Sequence, residues 1–253
     1  MPNKEQAHLE YLQRLADNSL ILGQRVAEWV GHSPVLEEDM ALTNMSLDLI
    51  GQARLLLQHI GKLENKGRDE DQIAFLRIES AYKNVTLCEL PNYDFARTIL
   101  RNYLFASFQI ILFTHLLDST DRELAAIAAK SLKEAKYHAS HSGEWVIRLG
   151  DGTSVSHQKL QDALDYLWPY TQELFAACPL DELNQASGLG PAWSTLQAAW
   201  IEVVRPVLLE ATLEISGPTP FKSYGKFGRH SEHMGHLLSE MQYLQRTYPG
   251  GQW

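Results

Sequence analysis

The sequence is poor in the residues that stabilise small secreted proteins, and it has no long uninterrupted apolar run. Its 2 cysteines in 253 residues cannot form a disulfide framework and favour a reducing compartment. No secretory apolar stretch opens the chain. The most apolar run, residues 103–117, contains Ser107, Gln109, Thr114 and His115, and it falls short of the ~18–20 apolar residues of a membrane span. We therefore expect a soluble cytoplasmic protein.

Basic charge is also scarce. The chain has 22 Lys and Arg residues against 31 Asp and Glu residues, for a formal net charge of −9, which argues against nucleic acid or an anionic membrane surface as a partner. Glycine-rich phosphate loops, nucleophile elbows and the HExxH motif are absent. Apolar residues make up 45% of the chain and charged residues 21%, as in a globular protein with a substantial core.

Strand patterns are missing, whereas apolar residues recur at helical spacing between proline and glycine breaks. This pattern predicts an all-α protein: an elaborated helical bundle with additional C-terminal helices, in one domain over residues 1–253. Asp121 is the predicted N-cap of the fifth helix. Residues 179–191 are predicted to form a connector and 216–228 a loop. The eight predicted helices span approximately 6–30, 36–63, 71–89, 95–118, 123–149, 156–177, 192–213 and 230–248.

The fifth predicted helix carries the most suggestive chemistry. Glu134, His138, His141 and Trp145 follow steps of four, three and four residues, so they share one side of the helix. Carboxylates and imidazoles that face into a bundle are the ligands of a carboxylate-bridged di-iron site, whose recurring motif is Glu-x-x-His. The residue three positions before His138 is Ala135, and its methyl group cannot bind iron.

Four predicted helices could each contribute an inward polar group, including Asp17 from the first. A working di-iron bundle needs about four carboxylates and two histidines, and the amides among these groups bind iron poorly. We therefore predict neither catalytic nor metal-binding residues. We expect instead a vestigial polar cluster, in place of a di-iron site, whose members satisfy one another's hydrogen bonds. Its predicted members are Asp48, Gln52, Gln109, Glu134 and His138.

A second group lies near the C-terminus. His233, His236 and Glu240 fall on one helical face, so a zinc site is chemically feasible there. The alternative is that these histidines are surface or capping groups.

Several sequence blocks resemble those of a known family. They are GQRVAEWVGH (23–32), NMSLDLIGQAR (44–54), KEAKYH (133–138), LGDGT (149–153) and the C-terminal block HSEHMGHLLSEMQYLQRTYPGGQW (230–253). The chain resembles, nearly end to end, the C subunits (PaaC) of the bacterial ring 1,2-phenylacetyl-CoA epoxidase. That enzyme is a multicomponent monooxygenase of phenylacetate catabolism.

This resemblance implies a ferritin-like fold and a noncatalytic role. Catalysis would belong to a homologous A subunit that carries the di-iron site, and the PaaC chain, without ligands or cofactor of its own, would support it. A small B subunit and a reductase with FAD and an iron–sulfur cluster would complete the system, and the reductase could be an indirect partner of this chain. The alternative is an independent ferritin-like di-iron oxidase or metal-binding protein with an unconventional ligand set.

The helices with the fewest polar residues are candidates for the contact with the A subunit. They are the helix predicted at 36–63 and the run 103–117. Periodicity alone does not separate an interface face from a core face, so both helices could equally be central in their own bundle.

Overall fold

A computed structural model describes residues 3–217 and 219–251 of the chain. Five residues of the predicted domain lie outside this description. They are 1 and 2, then 218 in the predicted loop 216–228, and 252 and 253 in the C-terminal sequence block. The described residues form α-helices, short 3-10 turns and connections, with no strand and one isolated bridge between Tyr224 and Arg229. The predicted all-α class is confirmed.

The α-helices of the described residues are numbered in chain order. They are α1 Lys4–Ala27, α2 Leu36–Glu64, α3 Glu70–Phe75, α4 Thr86–Glu89, α5 Phe95–Leu116, α6 Arg122–Gly150, α7 Ser154–Thr171, α8 Asp181–Ala186, α9 Gln197–Glu210, α10 Glu232–Met241 and α11 Tyr243–Thr247. Four 3-10 turns lie at Glu79–Ala81, Gln172–Phe175, Trp193–Leu196 and Gly225–Phe227.

The described residues group into two compact units. The terminal unit falls within residues 1–91 and 223–253, and the central unit is formed by residues 92–222. The single domain predicted over 1–253 stays a prediction. None of the described helices combines the length and apolarity that crossing a membrane requires.

The terminal unit is built on an antiparallel pair, α1 and α2. Ser46 Oγ donates to the carbonyl oxygen of Gly23 at 2.9 Å, and a Cβ on Gly23 would lie 3.1 Å from the side chain of Ile50. The missing side chain therefore lets the two helices approach closely. α2 ends at Asn65, whose left-handed backbone (φ 51°) stops the helix.

The central unit is built on a second antiparallel pair, α5 and α6. Asp121 caps α6, because its carboxylate accepts from the backbone N–H groups of Glu123 and Leu124, as predicted from the sequence. The indole N–H of Trp200 donates to the carbonyl oxygen of Leu104 at 3.0 Å and so fixes α9 against α5.

The helix predicted at 71–89 is wrong, because this segment is broken into α3, a 3-10 turn and α4. The break lets Arg77 form an ion pair with Asp17 of α1 while its guanidinium donates to the carbonyl oxygens of Ile73 and Ala81. These tertiary contacts outweigh the local helical preference. The connector predicted at 179–191 likewise contains a short helix, α8.

Candidate functional site

The inward side of α6 carries an imidazole without the carboxylate that an iron site would require. His138 and Ala135, one turn apart, are both buried, and Ala135 is fully enclosed. Glu134 is half-buried and pairs with Lys130 on the same helix at 3.4 Å. The position three residues before His138 therefore offers a methyl group.

The other predicted cluster members also lie on long helices. Gln109 is buried on α5. Gln52 is buried on α2 and accepts a hydrogen bond from Ser19 Oγ of α1 at 3.2 Å, and Asp48, one turn earlier, is half-buried. Gln52 is thus part of the packing between α1 and α2.

These five residues are divided between the units, so their assembly into one cluster stays a prediction. Asp48 and Gln52 belong to the terminal unit, and Gln109, Glu134 and His138 belong to the central unit. Among the described residues, none of the five belongs to a group of three His, Cys, Asp or Glu ligand atoms that lie within 4.8 Å of one another. Their donor set does not fit a di-iron centre.

The expectation that the sequence lacks a Glu-x-x-His motif altogether is wrong, because one such motif is present outside α6. It runs from Glu5 to His8 in the first turn of α1. Glu5 is exposed and His8 is half-buried, with its ring 6.4 Å from that of His59. Because Glu5 lies on the surface, this pair does not present two inward ligands.

Asp17, an inward polar candidate from the sequence, forms a buried ion pair with Arg77. Arg77 Nη1 lies 2.8 Å from Asp17 Oδ2, which also accepts from the backbone N–H of Lys83. Burial opposes the charge of Arg77, but the carboxylate of Asp17 outweighs it, and the pKa of Arg77 is raised. The carboxylate of Asp17 is therefore committed to an arginine.

The same region holds Tyr82, a second group fixed by Arg77. The guanidinium of Arg77 lies 4.0 Å from the centre of the Tyr82 ring. The Tyr82 hydroxyl accepts from Gln242 Nε2 at 2.7 Å and donates to the carbonyl oxygen of Ala74. Burial, the largest cause, raises the pKa of Tyr82 to about 12. Gln242 and Arg246 also donate to the carbonyl oxygen of Arg77. These hydrogen bonds hold residues 242–246 against the loop that follows α3.

A further buried pair was not foreseen from the sequence. His230 Nδ1 lies 2.7 Å from Glu89 Oε2, and its Nε2 lies 3.1 Å from the carbonyl oxygen of Tyr82. Glu89 also accepts from Asn84 Nδ2 and from the backbone N–H of Ser231. Both ring nitrogens face acceptors, and this geometry favours the doubly protonated imidazolium form of His230.

The pKa of His230 agrees with this assignment. Burial opposes the positive charge, but the hydrogen bond and charge of Glu89 and the carbonyl oxygen of Tyr82 raise the pKa above its ordinary value. The Glu89–His230 pair thus joins α4 to the segment before α10 inside the terminal unit. The sequence gives little sign of this pair, because His230 looks like one more member of a group of three histidines with His233 and His236.

The proposed zinc ligands near the C-terminus do not converge. His236 and Glu240 are exposed on α10, and His233 is half-buried. Within the part of the chain that the structure describes, these three side chains form no group of ligand atoms close enough to hold one ion. The carbonyl oxygen of His233 instead accepts from Arg25 of α1 at 3.2 Å, which favours a packing role for this helix.

Comparison with known proteins identifies the family of this chain. The family model described as phenylacetic acid catabolic protein (PaaA_PaaC) matches residues 1–253. The chain is similar to the C subunit of the 1,2-phenylacetyl-CoA epoxidase of Escherichia coli (strain K12), with 48% identity over 243 residues that cover 96% of this chain and 98% of the relative. The ferritin-like helical fold expected from the sequence accords with this family. The chain belongs to the PaaA_PaaC family of phenylacetic acid catabolic proteins.

Proposed function

We propose that this chain is a noncatalytic structural subunit of a phenylacetyl-CoA 1,2-epoxidase, in which it supports the homologous di-iron A subunit. The observation that carries the proposal is the fully buried Ala135, three residues before the buried His138. A di-iron helix needs a carboxylate at that inward position. A chain so closely similar to an epoxidase subunit, yet without this ligand, serves its complex by binding rather than by redox chemistry.

The remaining parts of the proposal follow from the family. The di-iron cofactor belongs to the A subunit, and FAD and an iron–sulfur cluster belong to the reductase, while this chain contributes no cofactor. A small B subunit is a further component, and nucleic acid and membrane are not partners. We expect the complex in the cytoplasm, where phenylacetyl-CoA would be its substrate.

Binding of a folded partner explains how such a chain affects catalysis. A protein that binds only the folded form of the A subunit raises that subunit's free energy of unfolding by about 2.7 kcal/mol at a concentration of 100 times Kd. It also keeps the active-site helices of the A subunit in one arrangement. Its removal therefore lowers activity although no catalytic group is deleted.

Reconstitution tests the proposal. The A subunit, the B subunit and the reductase are combined with and without this chain, and phenylacetyl-CoA consumption and the melting temperature of the A subunit are measured. We expect both to fall without the chain. Full activity and an unchanged melting temperature in its absence would refute the supporting role.

Two controls separate the proposal from an independent oxidase. The chain purified alone under air should contain no stoichiometric iron, and iron at one or two atoms per chain would favour the oxidase. His138→Gln, which removes the imidazole that remains on α6, should leave the kcat of the reconstituted complex unchanged once its folding is verified by circular dichroism. A loss of kcat would indicate a catalytic role for His138.

A further inference from the structure

The α2 helix has two apolar sides, and only one of them is used by the chain itself. Its buried side includes Leu42, Met45 and Leu49 and packs on α1. The opposite side carries Leu36 and Met40, which the chain leaves exposed. Met45 and Leu47, which is also exposed, are two residues apart, or about 200° around the helix axis, so the sides face in opposite directions.

The exposed side is a regular seam. Steps of four, four, three, four and three residues keep its positions on one line, as in the contact line of two paired helices. From residue 36 to residue 54 the seam extends over about 27 Å at ~1.5 Å per residue. We name it the α2 seam, and its residues are Leu36, Met40, Asn44, Leu47, Gly51 and Arg54.

The run 103–117 on α5, the other candidate from the sequence, behaves differently. Its apolar residues from Tyr103 to Phe108, together with Leu112 and Phe113, are buried in the chain. Its exposed positions are Thr114 and His115, which are polar, and Leu117, which lies just beyond the end of α5. Of the two candidates, α5 therefore lies in the core of this chain, and α2 is the one that keeps an exposed apolar side.

Gly51 is a second, independent observation that favours an interface along the α2 seam. A glycine inside a helix costs about 1 kcal/mol relative to alanine, and the close packing of Gly23 or Gly143 explains the absence of a side chain there. A Cβ on Gly51 would meet nothing within 4 Å. No neighbour within the described chain requires this glycine, whereas a helix that approaches from outside would use the bare backbone for close contact.

The exposed area fits the centre of a protein interface. The loop before α2 adds Val30 and Val35, which are about half exposed, to Leu36, Met40 and Leu47, which are 71%, 59% and 61% exposed. Together these side chains expose roughly 500 Å², a patch size that is often functional in monomers. A stable interface buries about 800 Å² per partner, so polar flanks must complete it.

We infer that the α2 seam is the docking line for a long helix of the homologous A-type subunit, an inference that rests on the proposed function. A straight line of positions about five turns long, with exposed apolar side chains at Leu36, Met40 and Leu47, matches a helix. The matching family model is named for both A- and C-type chains, so we expect an A-type subunit to have comparable long helices. A second copy of this chain is disfavoured because two chains with a net charge of −9 repel each other. Asn44 lies between the apolar positions Met40 and Leu47 of the seam, where a single polar residue would set the register of the paired helices.

Two different changes of the seam test the inference. Leu47→Gln removes an apolar contact, and Gly51→Gln adds a side chain in open space that should block helix approach without lowering the melting temperature of the chain. Leu209→Gln is the matched control, since Leu209 is 63% exposed on α9. Binding of each full-length variant to the purified A-type subunit is measured by titration calorimetry, and self-association is measured by sedimentation.

We expect each seam variant to raise the Kd for the A-type subunit at least 10-fold, and the control to stay within 2-fold of wild type. Unchanged Kd values for both seam variants, with wild type still binding, would overturn the inference and leave the proposed function intact. A wild-type chain that does not bind the A-type subunit would overturn both. A homodimer of wild type that Gly51→Gln dissociates would show that the occupant is a second copy and would overturn the inference as stated.

Discussion

The imidazolium of His230 gives the chain a pH-dependent stability whose sign follows from its contacts. Its pKa in the folded chain is raised above the ordinary value of about 6.5. Below pH ~6.5 both the folded and the unfolded chain bind this proton, so the full contribution to stability is present. As the pH rises through the folded-state pKa, the proton is released and the contribution is lost.

The contacts of Glu89 set the magnitude for His230→Gln. Breaking a buried ion pair costs about 3–5 kcal/mol, and here Glu89 keeps two donors, Asn84 and the backbone N–H of Ser231. We therefore expect the free energy of unfolding near pH 6 to fall by about 2–4 kcal/mol. At ~2–4 °C per kcal/mol for a chain of this size, the melting temperature should drop by roughly 5–15 °C.

Thermal melts of wild type and His230→Gln between pH 6 and pH 9 test this reasoning, with an NMR titration of the His230 ring alongside. The difference in melting temperature should be largest near pH 6 and should shrink at alkaline pH. His236→Gln is the control, because the His236 ring is exposed on α10, and it should melt like wild type. A constant difference across this range, or a ring pKa at or below 6.5, would refute the assignment of a buried imidazolium.

Three further changes have defined outcomes. Asp17→Asn should lower the free energy of unfolding by about 3–5 kcal/mol, because the charge of Arg77 is then buried without its carboxylate; a urea titration that gives less than 1 kcal/mol would contradict this. Gly150→Ala places a Cβ 2.2 Å from the carbonyl oxygen of Ala211 and should cost about 1–3 kcal/mol, so an unchanged melting temperature would count against it. Ala135→Glu should destabilise the chain, or bury a protonated carboxyl group, without creating an oxidase; phenylacetyl-CoA epoxidation by the isolated variant would disprove this.

The long helices could be predicted closely from the sequence because their signals are local. The helix predicted at 36–63 is α2, Leu36–Glu64, and the helix predicted at 123–149 is α6, Arg122–Gly150. Apolar periodicity predicts both helices, and the capping aspartate Asp121 marks the start of α6. The prediction of one helix at 71–89 was wrong because Arg77 forms an ion pair with Asp17, 60 positions earlier. This long-range contact breaks the segment into shorter elements.

Among the residues of the candidate site, too, some placements could be predicted from the sequence and others could not. Gln52, Gln109 and His138 were predicted to face the interior, and all three are buried. The partner of Glu89 could not be predicted, since His230 lies 141 positions away and neither residue stands in a recognisable motif. The exposure of the α2 seam also required coordinates, because periodicity marks an apolar side without telling what covers it.

The division of the terminal unit between the two ends of the chain has a consequence for biosynthesis. Glu89 is made early, whereas His230, which neutralises it, follows only after the whole central unit. At about 5–20 residues per second this delay is on the order of 10 s. During that time α1 to α4 cannot complete their polar network, while the central unit is contiguous and can mature as it emerges. A newly made terminal unit is thus open to chaperones and proteases until α10 and α11 are synthesised, and truncation of the chain just before His230 should strongly reduce the yield of folded protein.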